Sequence, residues 1–408
     1  MIRLKVALLN LLRNKRRTIL SLANLVTALA VVLLFEGFAE SMYDGLRESM
    51  IHSELGHLQV FARGFNQYGA LNDAKLLLSE STKTQVLKQA TGLPGVTMVA
   101  SRLETDALIT NGQAQMSVNV VGIDADKEAT ISSAIRILTG NELFAQQEDG
   151  VLLGQALADA LGVKVGSTLT LLGTSANQTL NAIDVSVVGT ITTGVRERDV
   201  RIVFANTALT ERFLLSKGAT RIVLLLDKTS QTEAIKTELT KRLANLQQPV
   251  ELRSWSELAT YYHQVVGLFS AIFLFTMVIL FFVAGLAVSN ALSMSVVERT
   301  REIGVIRAIG GSRMEVCFLF LLEGGFLGVV GGVLGVSVAL ILTYLLNHSG
   351  LMMPTPPGST VNYPLRILLN FSMLWRAFVL SIVVAVSSGL LPALRAARLN
   401  IVKALGHV

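Results

Sequence analysis

The sequence predicts an α-helical membrane protein with four transmembrane helices and a large mixed α+β domain inserted between the first and the second. Two observations carry this. Of 408 residues, 51% are hydrophobic and 16% are charged, with a mean hydropathy of +0.55, whereas a soluble domain carries about a quarter charged residues. The apolar residues also come in four blocks, separated by stretches of ordinary soluble composition.

Ile19 to Phe38 is apolar apart from Ser21, Asn24, Thr27 and Glu36, and Val265 to Val288 has no charge. Val316 to Leu346 holds one acid, Glu323, and Leu374 to Leu394 one base, Arg376. A helix rises 1.5 Å per residue, so roughly 20 residues cross the hydrocarbon core, and each block is long enough. The first is too long for a signal-peptide core, and no small-x-small cleavage site follows it.

Flanking bases set the orientation. Arg3, Lys5, Arg13, Lys15, Arg16 and Arg17 precede the first span, and Arg299, Arg301, Arg307 and Arg313 lie between the second and third. Arg395, Arg398 and Lys403 follow the fourth, whereas the 347–373 connection has only Arg366. The basic flanks belong on one side, which puts both termini in the cytoplasm and the large insert outside, in the periplasm of the bacterial inner membrane. The net charge of +6 is therefore a topology signal. No basic stretch interleaves stacking aromatics, so no nucleic-acid partner is expected.

The expected organisation starts with an amphipathic interfacial helix over 1–17. The first membrane helix and a stalk extension follow over 18–50, then the periplasmic domain over 51–254. The stalk and second membrane helix occupy 255–294 and a charged cytoplasmic loop 295–315. The third span covers 316–346, a short outer loop 347–373, the fourth span 374–394 and a tail 395–408. In the outer domain Asn111-Gly112 lies between two strand-like runs, a strong hairpin signal. "GHLQVF", "STLTLLG" and "DVSVVGTI" read as strands. "GQALADALG" and "QTEAIKTELTKRLANL" read as amphipathic helices, and "GFAESMYDGLRESMI" and "SWSELATYYHQVV" as helical stalk segments.

Chemistry-bearing constellations are sparse. Cys317 has no second cysteine to pair with. His52 and His57 have no Cys or carboxylate arranged with them for a metal. No G-x-x-x-x-G-K-[ST] occurs, so the backbone cradle and lysine that hold nucleotide phosphates are missing. No nucleophile–base or paired-carboxylate set is visible either. The expectation is a non-catalytic chain with no catalytic, metal or cofactor-binding residues of its own, whose energy comes from another chain.

"ERTREIGVIRAIGGSRMEV", residues 298–316, stands out between two apolar runs. Glu298, Arg299, Arg301 and Glu302 crowd its first turns, and Ile303, Val305, Ile306 and Ile309 supply apolar area. Gly310 and Gly311 can take the left-handed conformation that ends a helix. Ser312 and Glu315 then form an S-x-x-E capping box at the head of the third membrane helix. These residues fit a partner-docking helix and a solvated hairpin equally well. Gly324, Gly325, Gly328, Gly331, Gly332 and Gly335 make overlapping GxxxG patterns on that third helix, where small residues let backbones approach closely in lipid. The seam could lie within one subunit or between two. Glu323, about two turns into the helix, must pair, be protonated, or sit near the interface.

The stretch "SVVERTREIGVIRAIGGSRMEVCFLFLLEGGFLGVVGGVLGV" resembles the signature of MacB/FtsX/LolC/LolE-type ABC transporter permeases. The resemblance runs along the chain: the basic N-terminus, "GHLQV", "DGVLLGQALADALGVKVGSTLTLLG" and "LLPALRAARLNIVKALGHV" all take part. It implies a MacB-like periplasmic domain and a coupling helix over Glu298 to Ile309, docked into a separate ATPase, with Glu298, Arg299, Arg301, Glu302 and Arg307 as polar contacts. Ile303, Gly304, Ile306, Gly310 and Gly311 complete that segment. ATP and Mg enter only through the ATPase, two copies of which would serve two permease chains, identical or paralogous. The MacB exporter carries its ATPase at the N-terminus and this chain does not, which points toward the lipoprotein-releasing branch. "ERTREIGVIRAIGG", however, is more MacB-like. The implied work is mechanotransmission, extracting or moving a lipoprotein, lipid or other amphiphile, with a periplasmic carrier or adaptor as a further partner. Tripartite efflux of a drug, peptide or toxin, and FtsX-like regulation of a periplasmic hydrolase, are the alternatives.

Overall fold

A computed structural model describes residues 15–65, 76–144, 146–352 and 364–405. The interfacial helix expected over 1–17 lies outside them, except for 15–17, which open the first membrane helix. The chain divides into two units. Of the described residues, one comprises 15–44, 264–352 and 364–405, and the other 45–65, 76–144 and 146–263.

Helix α1 runs Lys15–Met50 and ends in a π-helical turn, Ile51–Leu55. The outer domain follows with β1 Leu58–Ala62, α2 Glu80–Thr91, β2 Val96–Thr110, β3 Gln115–Ile123, α3 Ala125–Ile131, β4 Arg136–Gly140 and β5 Gly150–Gly154. Next come α4 Gln155–Leu161, β6 Thr168–Thr174, β7 Leu180–Thr192, α5 Arg196–Asp199, β8 Ile202–Asn206 and α6 Thr207–Leu214. The domain closes with β9 Arg221–Leu226, α7 Thr232–Leu243, β10 Val250–Ser254 and α8 Trp255–Leu258.

Among the described residues the strands form one sheet in the order β10-β1-β9-β2-β3-β8-β5-β7-β4, with β6 pairing β2 and β7. The β3–β8 and β5–β7 pairs are parallel and the other pairs antiparallel. The long strand β2 serves two cores. Its first half pairs β9, and Val99 joins Val60, Leu78, Leu224 and Leu239 in one apolar cluster. Its second half pairs β3, and Ala107 and Ile109 join Val120, Leu153, Leu171 and Phe213 in another. Asn111 and Gly112 do lie in the β2–β3 turn. Gly112 has φ +87°, and Asn111 Oδ1 accepts the amides of Gln113 and Ala114 at 2.9 and 2.8 Å.

The stalk segment before the second span is broken rather than continuous. Ser254 and Glu257 form a capping box on the short α8, and Ala259, at φ −83°, ψ 58°, separates it from α9, Thr260–Glu298. The chain continues with α10 Thr300–Ala308, α11 Arg313–His348, α12 Phe371–Ala397 and α13 Ile401–Leu405. Helices α1, α9, α11 and α12 are long and apolar enough to cross a membrane. Their packing follows the alternation of small and large residues. Leu25, Ala28, Ala284, Val288, Leu292, Leu327 and Ala385 form one layer, and Leu29, Leu33, Phe281, Ala339, Met373 and Ala377 another. Glu36, the one acid of the first apolar block, pairs with Arg376 of the fourth at 2.9 Å.

Candidate functional site

The loop of residues 298–316 folds as a short helix between two sharp local devices. Arg299 marks the break after α9, with φ −109° and ψ 16°. At the other end the Gly311 amide donates to Ile306 O at 2.9 Å, and Gly310 takes φ +102°, a value few L side chains tolerate. A Cβ on Gly311 would stand 2.7 Å from Ile306 O. The capping box read from sequence then starts α11: the Glu315 amide donates to Ser312 Oγ at 3.1 Å, and the Ser312 amide to Glu315 Oε2 at 3.2 Å.

The apolar residues of α10 divide between two faces. Ile303 is buried and Ile306 half-buried, in a cluster with Val296, Val316, Phe320, Ala393 and Ala396. Gly304 is buried beside them. Val305 and Ile309 face outward, Ile309 at 82% exposure, and Met314 at the start of α11 is 83% exposed. Arg301 and Arg313 are exposed near them.

The charged residues divide the same way. Glu298, Arg301 and Glu302 are exposed. Arg299 is only 5% exposed. Its Nη1 donates to Glu323 Oε1 at 2.7 Å and its Nε to Glu302 Oε2 at 3.0 Å. Its guanidinium lies over the Phe320 ring, 5.6 Å from the centroid. Glu323 is 2% exposed, so of its three sequence readings the structure selects pairing. Arg307 Nη1 donates to Ala397 O, the last carbonyl of α12, at 2.8 Å. Cations at a helix C-terminus are favoured by the unpaired carbonyls there. Thus two of the five polar contacts implied for a docked ATPase, Arg299 and Arg307, point into their own chain. The signal available in the sequence was Glu323 itself, since a lone acid in a membrane helix calls for a cation.

The glycines of α11 face neighbours in the same chain. A Cβ on Gly324 would stand 2.9 Å from Ala385 O, on Gly328 2.7 Å from Ile382 Cα, and on Gly332 2.5 Å from Ser381 Oγ, all on α12. Those on Gly331 and Gly335 would meet Leu25 and Leu29 of α1 at 2.5 and 2.7 Å. Ser381 Oγ donates to Gly328 O at 3.0 Å, across the gap the glycine leaves.

A model of the FtsX-like permease C-terminal domain matches residues 268–401, and one of the MacB-like periplasmic core domain matches residues 18–242, more than half the chain. The chain belongs to the MacB/FtsX/LolC-type ABC transporter permeases. It is 24% identical over 355 residues to the lipoprotein-releasing system transmembrane protein LolC of Neisseria meningitidis serogroup B, covering 82% of this chain and 80% of that one. It is 39% identical over 126 residues to the macrolide export ATP-binding/permease protein MacB of Escherichia coli, covering 31% of this chain but only 17% of that protein. The solved periplasmic region of MacB from Actinobacillus actinomycetemcomitans aligns with 51% of this chain and 94% of its own, at 10% identity and a TM-score of 0.36. As an ABC permease with a periplasmic domain, the protein is of a kind that works with ABC ATPases and is typically non-catalytic.

Proposed function

We propose that this permease couples ATP hydrolysis by a separate ABC ATPase to a change in its periplasmic domain, and that the work moves a lipoprotein or another lipid-anchored amphiphile. In this reading two permease chains join two ATPases in the inner membrane, with N- and C-termini cytoplasmic and ATP and Mg held by the ATPase. The observation that carries the reading is the outward face of α10, continued by the turn after it and the first residues of α11. Val305, Ile309 and Met314 present apolar side chains to the surroundings, with Arg301 and Arg313 among them. Isolated apolar residues on a surface are ordinary, but apolar residues exposed on a helix whose opposite face is packed support a reading as a contact surface. Its complement is a groove with an apolar floor and an acidic rim. The coverage of LolC supports lipoprotein as cargo. The higher identity to MacB over 126 residues favours the second reading, efflux of a drug-like amphiphile.

Replacing both Val305 and Ile309 by Asp should remove the ABC ATPase from the complex purified from native membranes, while the permease stays inserted and monodisperse. An ATPase retained at parental stoichiometry would sink the docking face. For cargo, spheroplasts carrying the complex should release labelled lipoprotein to a soluble carrier only with ATP. ATP-dependent drug extrusion without such release would favour the second reading.

A further inference from the structure

We infer that Arg299 and Glu323 are positioning residues whose ion pair locks the coupling helix α10 to the membrane helix α11, so that the two move as one body when the ATPase acts. This rests on the docking reading above, because it concerns what happens to a push delivered at α10.

Four observations lead there. First, Arg299 occupies the break between α9 and α10, the point where a lever would otherwise bend: its amide donates to Ser295 O at 3.2 Å and its carbonyl accepts from Ile303 at 3.0 Å. Second, its side chain leaves that break for a different helix, reaching Glu323, 24 residues further along, at 2.7 Å. Glu323 lies ten residues into α11, about 15 Å along its axis. Third, both groups are buried, with Phe320 fully buried beneath the guanidinium. Well-packed apolar residues serve stability as well as a buried ion pair does, so stability alone gives no reason for charge here; a directional, length-specific contact between two elements does. Fourth, the far end of α10 is tied separately, through Arg307 to the last carbonyl of α12. The helix is thereby held at its start by α11 and near its end by α12. Its apolar underside, Ile303 and Ile306, packs against residues of α9, α11 and α12. Apolar packing permits sliding, whereas a guanidinium shared between Glu302 and Glu323 fixes register.

The test uses the full complex, with spin labels on cysteines placed at Ala308 in α10 and Val333 in α11, in a Cys317→Ser background. In the parent the inter-label distance should be single, narrow and the same in nucleotide-free and ATP-trapped states. In Glu323→Gln, which keeps shape but removes the charge, the ATPase should remain bound and the distance should broaden and shift on ATP trapping. Arg299→Met combined with Glu323→Met guards against a folding defect, since it leaves no unpaired charge, and it should show the same broadening. The exchanged pair, Arg299→Glu with Glu323→Arg, should recover part of the parental narrowness. A distance that changes with nucleotide in the parent, or stays narrow and fixed in both Glu323→Gln and the double Met variant, overturns the proposal. Failure of the docking reading shows separately, as an ATPase kept at parental stoichiometry when Val305 and Ile309 are both replaced by Asp.

Discussion

Two buried arginines, one in each unit, are held by different means. Arg299 in the membrane unit is satisfied by two carboxylates and an aromatic face. Arg102 in the outer domain, 1% exposed, binds Glu128 through two nitrogens, Ser132 Oγ at 3.1 Å, and Glu54 O, in the π-helical turn after α1, at 2.6 Å. Beside it Arg221 pairs with Glu104 and Glu54, and Arg198 reaches Glu54 at 2.8 Å. Burial works against the charge of Arg221, but the Glu104 and Glu54 carboxylates outweigh it and hold its pKa above the usual value. The outer domain spreads its buried charge over many acceptors on several elements. At Arg299 the membrane unit uses two carboxylates, one on the short α10 and one on α11. The contacts around Arg102, Arg221 and Arg198 tie several elements of the outer domain together, whereas those of Arg299 tie α10 to α11.

The sharpest way to break this comparison is to remove one acceptor from the spread network. Glu128→Ala leaves Arg102 buried without its carboxylate and should cost about 3–5 kcal/mol of outer-domain stability by chemical unfolding. A loss under about 1 kcal/mol would show that the remaining acceptors take over and that the network is redundant. In the membrane unit, Gly328→Leu drives a side chain into Ile382 of α12 and should cost about 1–3 kcal/mol, read as a lower midpoint in detergent-induced unfolding. Ser312→Ala removes one side of the α11 capping box, for a loss of about 1 kcal/mol in the same assay.

The smallest effect at neutral pH belongs to His57, and it grows with acidity. Burial, the largest influence, holds the His57 pKa down at about 4. Its Nδ1 accepts the Leu226 amide at 3.1 Å and its Nε2 donates to Thr229 Oγ1 at 3.1 Å, an arrangement only the neutral ring can make. The unfolded chain takes up this proton near pH 6.5 and the folded one only near 4. Stability from this residue is therefore complete above pH 6.5 and declines as pH falls toward 4. His57→Asn should flatten that part of the melting-midpoint profile relative to the parent.

Much of the fold was legible because it follows from short-range rules. Apolar blocks marked the spans, Asn111-Gly112 the hairpin and Ser312–Glu315 the helix start. The relation between Arg299 and Glu323 was not legible, since it depends on the angle at which α9, α10 and α11 meet. The same holds for the outward turn of Ile309 against the inward turn of Ile303: helical spacing separates the two faces but does not say which one meets the bundle. The charge network around Glu54 left no trace in spacing, because its members come from elements spread over residues 54 to 221.

The glycine face of α11 has a consequence for how the subunit is made. Because its small residues fit the flanks of α12 and α1, the seam closes within a single chain as soon as the fourth span is inserted. What remains outward is a run of branched aliphatics, with Val329, Val330, Val333, Leu334 and Ile341 all exposed. Such a surface is at ease in acyl chains. Along this side the described residues of one chain supply their own small-residue seam, and no second chain is needed to fill it.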